Sequence, residues 1–79
     1  MLTAYITAAM EKATYKLLED GAYFGEIPGL QGVWADGSTL EECRRTLQEV
    51  LEEWLLLKLG DGDAIPAMGG IDLAKTAAA

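Results

Sequence analysis

The stretch TLEECRRTLQEVLEEWLLLKLG, residues 39–60, is the longest segment of the sequence with a clear helical period. Its apolar side chains recur at spacings of three and four, which places them on one side of a helix. Glutamates, arginines and a glutamine occupy the other side. The sequence therefore predicts a long amphipathic helix with a buried stripe formed by Leu40, Cys43, Leu47, Val50, Leu51, Trp54 and Leu55.

Both ends of this helix carry termination signals. Thr39 followed by Glu42 has the capping-box spacing, in which the hydroxyl accepts the amide hydrogen of the third residue and the carboxylate reaches back. Ser38 has an acidic residue at the same spacing, so the helix begins after one or the other. Gly60 can adopt the left-handed conformation that closes a helix, and we expect the helix to stop near Leu59.

Three β-type runs precede the helix. ATYKLLED (residues 13–20) and AYFGEIP (residues 22–28) flank Gly21, which suits the positive backbone angle of a hairpin turn. GVWADG (residues 32–37) follows a Pro-Gly pair, which is a strong turn signal. The pattern predicts three antiparallel strands within residues 13–37.

Alternation along these strands predicts a sheet with side chains for burial on both faces. Phe24 and Trp34 are expected on one face. The long helix can cover one face, and either the short N-terminal helix or a second subunit must cover the other. The face opposite Phe24 and Trp34 is predicted to carry Tyr15, Leu17, Tyr23, Ile27 and Val33.

The two flanks complete an α+β prediction for a single domain, residues 1–79. Residues 1–12 have an apolar repeat typical of a short helix. Residues 61–79 read as a loop, a short final strand at residues 71–73 and a frayed tail at residues 74–79. The predicted architecture is β-β-β-α-β: a three-stranded antiparallel sheet, one long amphipathic helix on one face (residues 39–60), a short final strand and a short N-terminal helix.

The charge balance restricts the partners. The formal net charge is −7, with six lysines and arginines in all, whereas phosphate binding needs a surplus of cations on one face. We therefore expect no direct contact with nucleic acid and a basic partner instead. The longest cluster of large apolar side chains, residues 54–57, is too short to cross a bilayer. No membrane association is predicted, and a cytoplasmic location is expected.

The residue types argue against catalysis. Histidine is absent, and the single cysteine, Cys43, falls on the apolar stripe, where a structural thiol is expected. Residues 61–63 (Asp-Gly-Asp) lack the further ligands of a calcium loop. We predict no catalytic residue, metal or cofactor and expect that the protein is not an enzyme. An enzyme hypothesis would depend on strand-region carboxylates alone: Glu19, Asp20, Glu26 and Asp36.

A family resemblance emerges from the combination of these segments. YFGEIPGLQGVWADG (residues 23–37) runs into STLEEC (residues 38–43), and the helix ends in LEEWLLLKL (residues 51–59) before Ile65 and Pro66. This frame resembles the HicB-like antitoxin family, in particular its short single-domain members. The resemblance implies a partial ribonuclease H-like fold and neutralisation of a HicA-type toxin, a small basic ribonuclease that cleaves messenger RNA. Longer members carry a DNA-binding domain after the helix, and we expect none here.

Two sets of candidate contact residues follow. Aromatic side chains flanked by carboxylates are typical anchors for a basic partner, which indicates Tyr23 with Glu26 and Trp34 with Asp36. The alternative is that these four residues simply complete the sheet and its surface. For Tyr23 and Trp34 taken singly, we place a role in the core or in self-association first and a partner interface second. Self-association, most simply as a dimer, is expected through apolar surface on the sheet side or on the short first helix, where the candidates are Leu2, Tyr5, Ile6 and Met10.

Two alternative functions remain open at this stage. The protein could be an orphan homo-oligomer that acts in structure or interaction without a toxin partner. A degenerate ribonuclease H-like nuclease is the third hypothesis.

Overall fold

A computed structural model describes residues 2–73 of the chain. In chain order it contains helix α1 (Leu2–Glu11), strands β1 (Thr14–Leu17), β2 (Tyr23–Glu26) and β3 (Trp34–Gly37), and helix α2 (Leu40–Asp61). The strands form one antiparallel sheet in the order β1-β2-β3. The predicted α+β class is confirmed.

The hairpin between β1 and β2 forms as the sequence predicts. The Leu18 amide donates to the Ala22 carbonyl at 2.7 Å, and the Ala22 amide donates to Asp20 Oδ1 at 3.0 Å. Gly21 has a φ of 89°, which a side chain would disfavour. These turn contacts are consistent with the register of the two strands, in which Leu17 pairs with Tyr23.

Helix α2 begins at the predicted cap. Thr39 Oγ1 accepts the amide hydrogen of Glu42 at 3.1 Å, which selects Thr39 over Ser38 as the cap. The Glu42 carboxylate accepts a hydrogen bond from the Ser38 hydroxyl at 3.0 Å. The carboxylate thus fixes the residue before the cap.

The predicted end of α2 is wrong by two residues. Gly60 lies within the helix, and Gly62 takes the left-handed conformation with a φ of 72°. The amide of Asp63 donates to the Lys58 carbonyl at 3.0 Å, and the two side chains form an ion pair at 3.7 Å. Nothing stops the helix at Gly60, because a glycine tolerates helical angles when a later glycine supplies the cap.

One face of α2 packs against β2 and β3 and forms the main part of the core. The helix approaches the sheet closely at Gly37, where an added Cβ would lie 2.5 Å from the Cys43 nitrogen. The buried row of the helix is Cys43, Leu47, Leu51 and Leu55. The predicted stripe is too wide at its edges, because Leu40 is 46% exposed and Val50 and Trp54 are only partly buried.

Helix α1 packs beside α2 and the segment that follows α2. Tyr5 and Ala9 are fully buried, and the Tyr5 hydroxyl donates to the Pro66 carbonyl at 2.6 Å. The post-α2 segment adds buried apolar side chains at Ile65, Met68 and Leu73. The first helix therefore completes the core on the helix side of the sheet.

The predicted final strand is replaced by an isolated β-bridge between Met68 and Ile71. Two hydrogen bonds of 3.0 and 2.8 Å join these residues across Gly69 and Gly70, whose φ values are 56° and 81°. Two successive positive φ angles make a tight turn. Ile71 therefore pairs with Met68, three residues earlier, instead of with a strand of the sheet. The predicted tail at residues 74–79 lies outside the described residues.

Candidate protein-interaction site

One face of the sheet stays open in the chain. Gly25, Ala35 and Gly37 are buried under α2, so the alternate residues of β2 and β3 point to the opposite side. No side chain on that side is fully buried. We call this surface the open sheet face, and its members are Thr14, Lys16, Phe24, Glu26, Trp34 and Asp36.

Two aromatic rings lie at the centre of the open sheet face. The centroids of Phe24 and Trp34 are 5.9 Å apart, and their planes differ by 28°. They occupy diagonal positions on β2 and β3, a distance that aromatic side chains span across a sheet. Trp34 remains 55% exposed, and this large apolar surface gives the face its strongest potential anchor.

Each ring lies directly across the strand pair from a carboxylate. Glu26 is the partner of Trp34 in the register, and Asp36 is the partner of Phe24. Within residues 2–73 the one ion pair found joins Lys58 to Asp63, so neither carboxylate is neutralised by a described cation. The face therefore combines exposed apolar surface with two carboxylates that form no ion pair with a described residue and one lysine, Lys16.

The negative charge of Asp36 affects the Cys43 thiol, which lies on the helix side of the sheet. Burial raises the pKa of the Cys43 thiol, and the negative charge of Asp36 raises that pKa further. The sulfur is buried and donates weakly to the Ala35 carbonyl at 3.6 Å. A thiol held in its neutral form is a poor nucleophile and serves as packing.

The structure brings three of the four candidate partner-binding residues together. Glu26, Trp34 and Asp36 share the open sheet face, whereas Tyr23 lies on the helix side of the sheet, opposite Gly37 in the register. Phe24 also lies on the open sheet face, although it is not among the predicted contact residues. Its signal was present in the sequence, because alternation puts it on the same face as Trp34.

The candidate self-association residues divide in a similar way. Tyr5 and Met10 are buried in the chain's own core. Leu2 and Ile6 line a surface cleft of about 250 Å³ between α1 and α2, which we call the apolar cleft. Its other apolar members are Leu55, Leu56 and Leu59, and its charged member is Glu52.

No group of three metal-ligating side chains converges within residues 2–73. In the same part of the chain, neither helix combines the length and the apolar character that a membrane span requires. The most distinctive surface that the described residues build is the open sheet face, with its two stacked rings and the carboxylates of Glu26 and Asp36.

Comparison with known proteins gives the family. The family model described as UPF0150-like matches residues 4–66. The crystal structure of TTHA0281 from Thermus thermophilus is similar to this chain with a TM-score of 0.85 and 47% sequence identity, over 90% of this chain and 89% of that one.

A curated relative, UPF0150 protein ssr1258 from Synechocystis sp., is 41% identical over 34 residues, which are 43% of this chain. The match spans about half of that relative's length, 49%. The family model, by contrast, covers most of the present sequence. The chain belongs to the UPF0150-like family.

Proposed function

We propose that the protein is an antitoxin-type interaction protein, which binds a small basic ribonuclease of the HicA type through the open sheet face. The observation that supports this proposal most directly is the stacked pair of half-buried Phe24 and exposed Trp34, bordered by the carboxylates of Glu26 and Asp36. A sheet face of this kind gains free energy when a partner covers its rings. The protein itself carries out no catalysis in this proposal.

Charge favours a cationic partner. The chain has a formal net charge of −7, and a ribonuclease that grips RNA must present lysines and arginines. Electrostatic attraction between the acidic protein and a basic partner speeds their association and disfavours acidic competitors. Binding there would also place negative side chains where the toxin otherwise holds phosphates.

The test uses the product of a small basic reading frame adjacent to this one. That product is purified and assayed for cleavage of messenger RNA in the presence of increasing amounts of the protein. We expect stoichiometric inhibition that weakens as the salt concentration rises, because screening reduces the attraction between surface charges. Uninhibited cleavage, or the absence of any such reading frame, would favour the orphan alternative.

Two charge reversals locate the binding surface. Asp36→Lys lies on the open sheet face, whereas Glu53→Lys makes the same change in net charge on an exposed position of α2. Asp36→Lys should weaken inhibition at least about tenfold, and Glu53→Lys should leave it near the wild-type value. Equal losses in both variants would show that net charge alone matters and that the face is wrongly assigned.

We also propose that two copies of the chain associate through the apolar cleft. Leu56 and Leu59 are 68% and 44% exposed and stand beside this cleft. Two chains of charge −7 repel each other, so they can meet stably only where charge is sparse, and Glu52 is the one charged residue of the lining. A two-fold axis would place Leu56 of each copy against the cleft of the other.

A further inference from the structure

A second concave feature borders the open sheet face. The β2–β3 turn borders an open surface hollow of about 420 Å³, which residues 26–34 line and which we call the turn hollow. Glu26 and Trp34, which face each other in the register, stand at its two sides. The hollow and the exposed indole ring therefore form one continuous surface.

The turn holds this shape by its own backbone. The Ile27 amide donates to the Val33 carbonyl at 3.3 Å, the Leu30 amide to the Ile27 carbonyl at 3.1 Å, and the Val33 amide to the Leu30 carbonyl at 3.3 Å. The side chains of these three residues are 2 to 4% exposed, which fixes the turn to the core. Because the turn is already ordered, binding in the turn hollow costs little free energy for ordering the turn.

The chemistry of the lining selects one kind of side chain. Glu26 is the single ionisable residue among those that line the turn hollow, and no described cation pairs with it. An anionic ligand would be repelled, and a purely apolar one would cover the carboxylate without a partner. A long side chain fits both features, because its apolar stem can fill the turn hollow while its cationic head pairs with the Glu26 carboxylate.

We infer that the turn hollow is a recognition site for an arginine side chain, with the guanidinium paired to the Glu26 carboxylate and stacked on the Trp34 ring. Arginine fits better than lysine, because its planar head can accept both a two-point carboxylate contact and an aromatic face. The inference deepens the proposed function, on which it rests, since it names the side chain by which a basic partner would be held.

The probe is N-acetyl-arginine amide, compared with the lysine and norleucine analogues. The protein has two tryptophans, and their indole N–H signals in a ¹H–¹⁵N NMR spectrum report on Trp34 and Trp54 separately. We expect the arginine probe to shift the Trp34 signal in a saturable way, the lysine probe to bind at least about fivefold more weakly, and Trp54 to stay unchanged.

Matched variants remove one carboxylate at a time. Glu26→Gln should weaken arginine binding by about tenfold, whereas Asp36→Asn, on the same face but outside the lining, should have little effect. Both positions are exposed, so we expect the fold to be retained in each variant, which circular dichroism would check. Equal shifts with arginine and norleucine, or full binding by Glu26→Gln, would overturn the inference.

The outcomes separate this inference from the proposed function. If the arginine probe binds but the basic ribonuclease is not inhibited, the function is wrong and the recognition site stands. If Glu26→Gln inhibits the ribonuclease as well as the wild type does and the probe does not bind, the recognition site is wrong and the function stands.

Discussion

The absence of a side chain at Gly37 sets the spacing between α2 and the sheet. An added Cβ would lie 2.5 Å from the Cys43 nitrogen and 2.9 Å from its Cα. These are backbone atoms, which cannot give way unless the helix moves. Gly37→Ala should therefore lower the free energy of unfolding by about 2 kcal/mol, as measured by urea denaturation.

Gly60→Ala is the matched control, with an effect of opposite sign. Gly60 lies in the last turn of α2, and a Cβ added there would meet nothing within 4 Å apart from its chain neighbours and the adjacent backbone of the same helix. Alanine in a helix interior is favoured over glycine, so this variant should gain about 1 kcal/mol. A similar effect from both substitutions would contradict the close approach at Gly37.

Two tyrosine phenols and one cysteine thiol, all with raised pKa values, should make the folded state less stable in alkali. Burial raises the pKa of Tyr5, Tyr15 and Cys43 above the ordinary values of 10.0 for the phenols and 9.0 for the thiol. Groups with raised pKa values stabilise the fold fully below the unfolded pKa, and this contribution is lost as pH rises through the folded pKa. The urea midpoint should fall progressively above about pH 9.

Tyr15→Phe tests one of these groups. Burial is the main cause of its raised pKa; the nearby Arg44 guanidinium opposes it, but the hydroxyl forms no hydrogen bond of ordinary geometry with the described residues. The variant should keep its stability at neutral pH and decline less steeply in alkali than the wild type. An unchanged alkaline slope would contradict a buried, neutral Tyr15.

At the scale of elements, α2 buries a narrower row than its sequence suggests. Leu51 is fully buried, whereas Trp54 is partly buried, with Lys58 Nζ 5.6 Å from its ring centroid. Leu51→Ala should cost about 3 kcal/mol. Trp54→Ala should cost roughly half as much, because part of the ring is already in contact with water. A greater loss for Trp54 in urea denaturation would reverse this order.

Local signals predict most of these elements, and their limits have physical reasons. The Thr39 cap and the Gly21 turn depend on neighbouring residues, so the sequence shows them directly. The end of α2 is missed because either of two nearby glycines can close a helix. The bridge at residues 68–71 is missed because the pairing of a short apolar run depends on where the whole segment docks.

Part of the candidate site can be predicted from the sequence for the same reason. Glu26 and Trp34 meet because strand pairing aligns them, and the sequence supplies both the strands and the turn. Closeness in sequence pairs Tyr23 with Glu26, but residues three apart on a strand point to opposite faces, so the two side chains do not share a surface. The turn hollow depends on the path of the β2–β3 loop, which local patterns do not determine.

At the scale of the whole molecule, self-association should depend on the apolar cleft. Leu56 and Leu57 are each 68% exposed, but only Leu56 lines the cleft. Leu56→Glu should shift the chain to a monomer in light scattering across a dilution series, because a two-fold interface meets the new charge twice. Ile6→Asp should act in the same way.

Leu57→Glu is the control and should leave the molar mass unchanged. A wild-type chain that runs as a monomer at micromolar concentration would refute the association. Loss of association in both glutamate variants would move the interface away from the cleft.

The hydrogen bond from Tyr5 to Pro66 joins parts of the chain that are 61 residues apart. The strands and α2, by contrast, are linked by short turns and can assemble from neighbouring segments. Closing the longer loop costs more entropy, so α1 and residues 65–73 should dock late and detach early as one cooperative unit. In amide hydrogen exchange, these two ends of the described chain should lose protection together while the sheet beneath α2 is still protected.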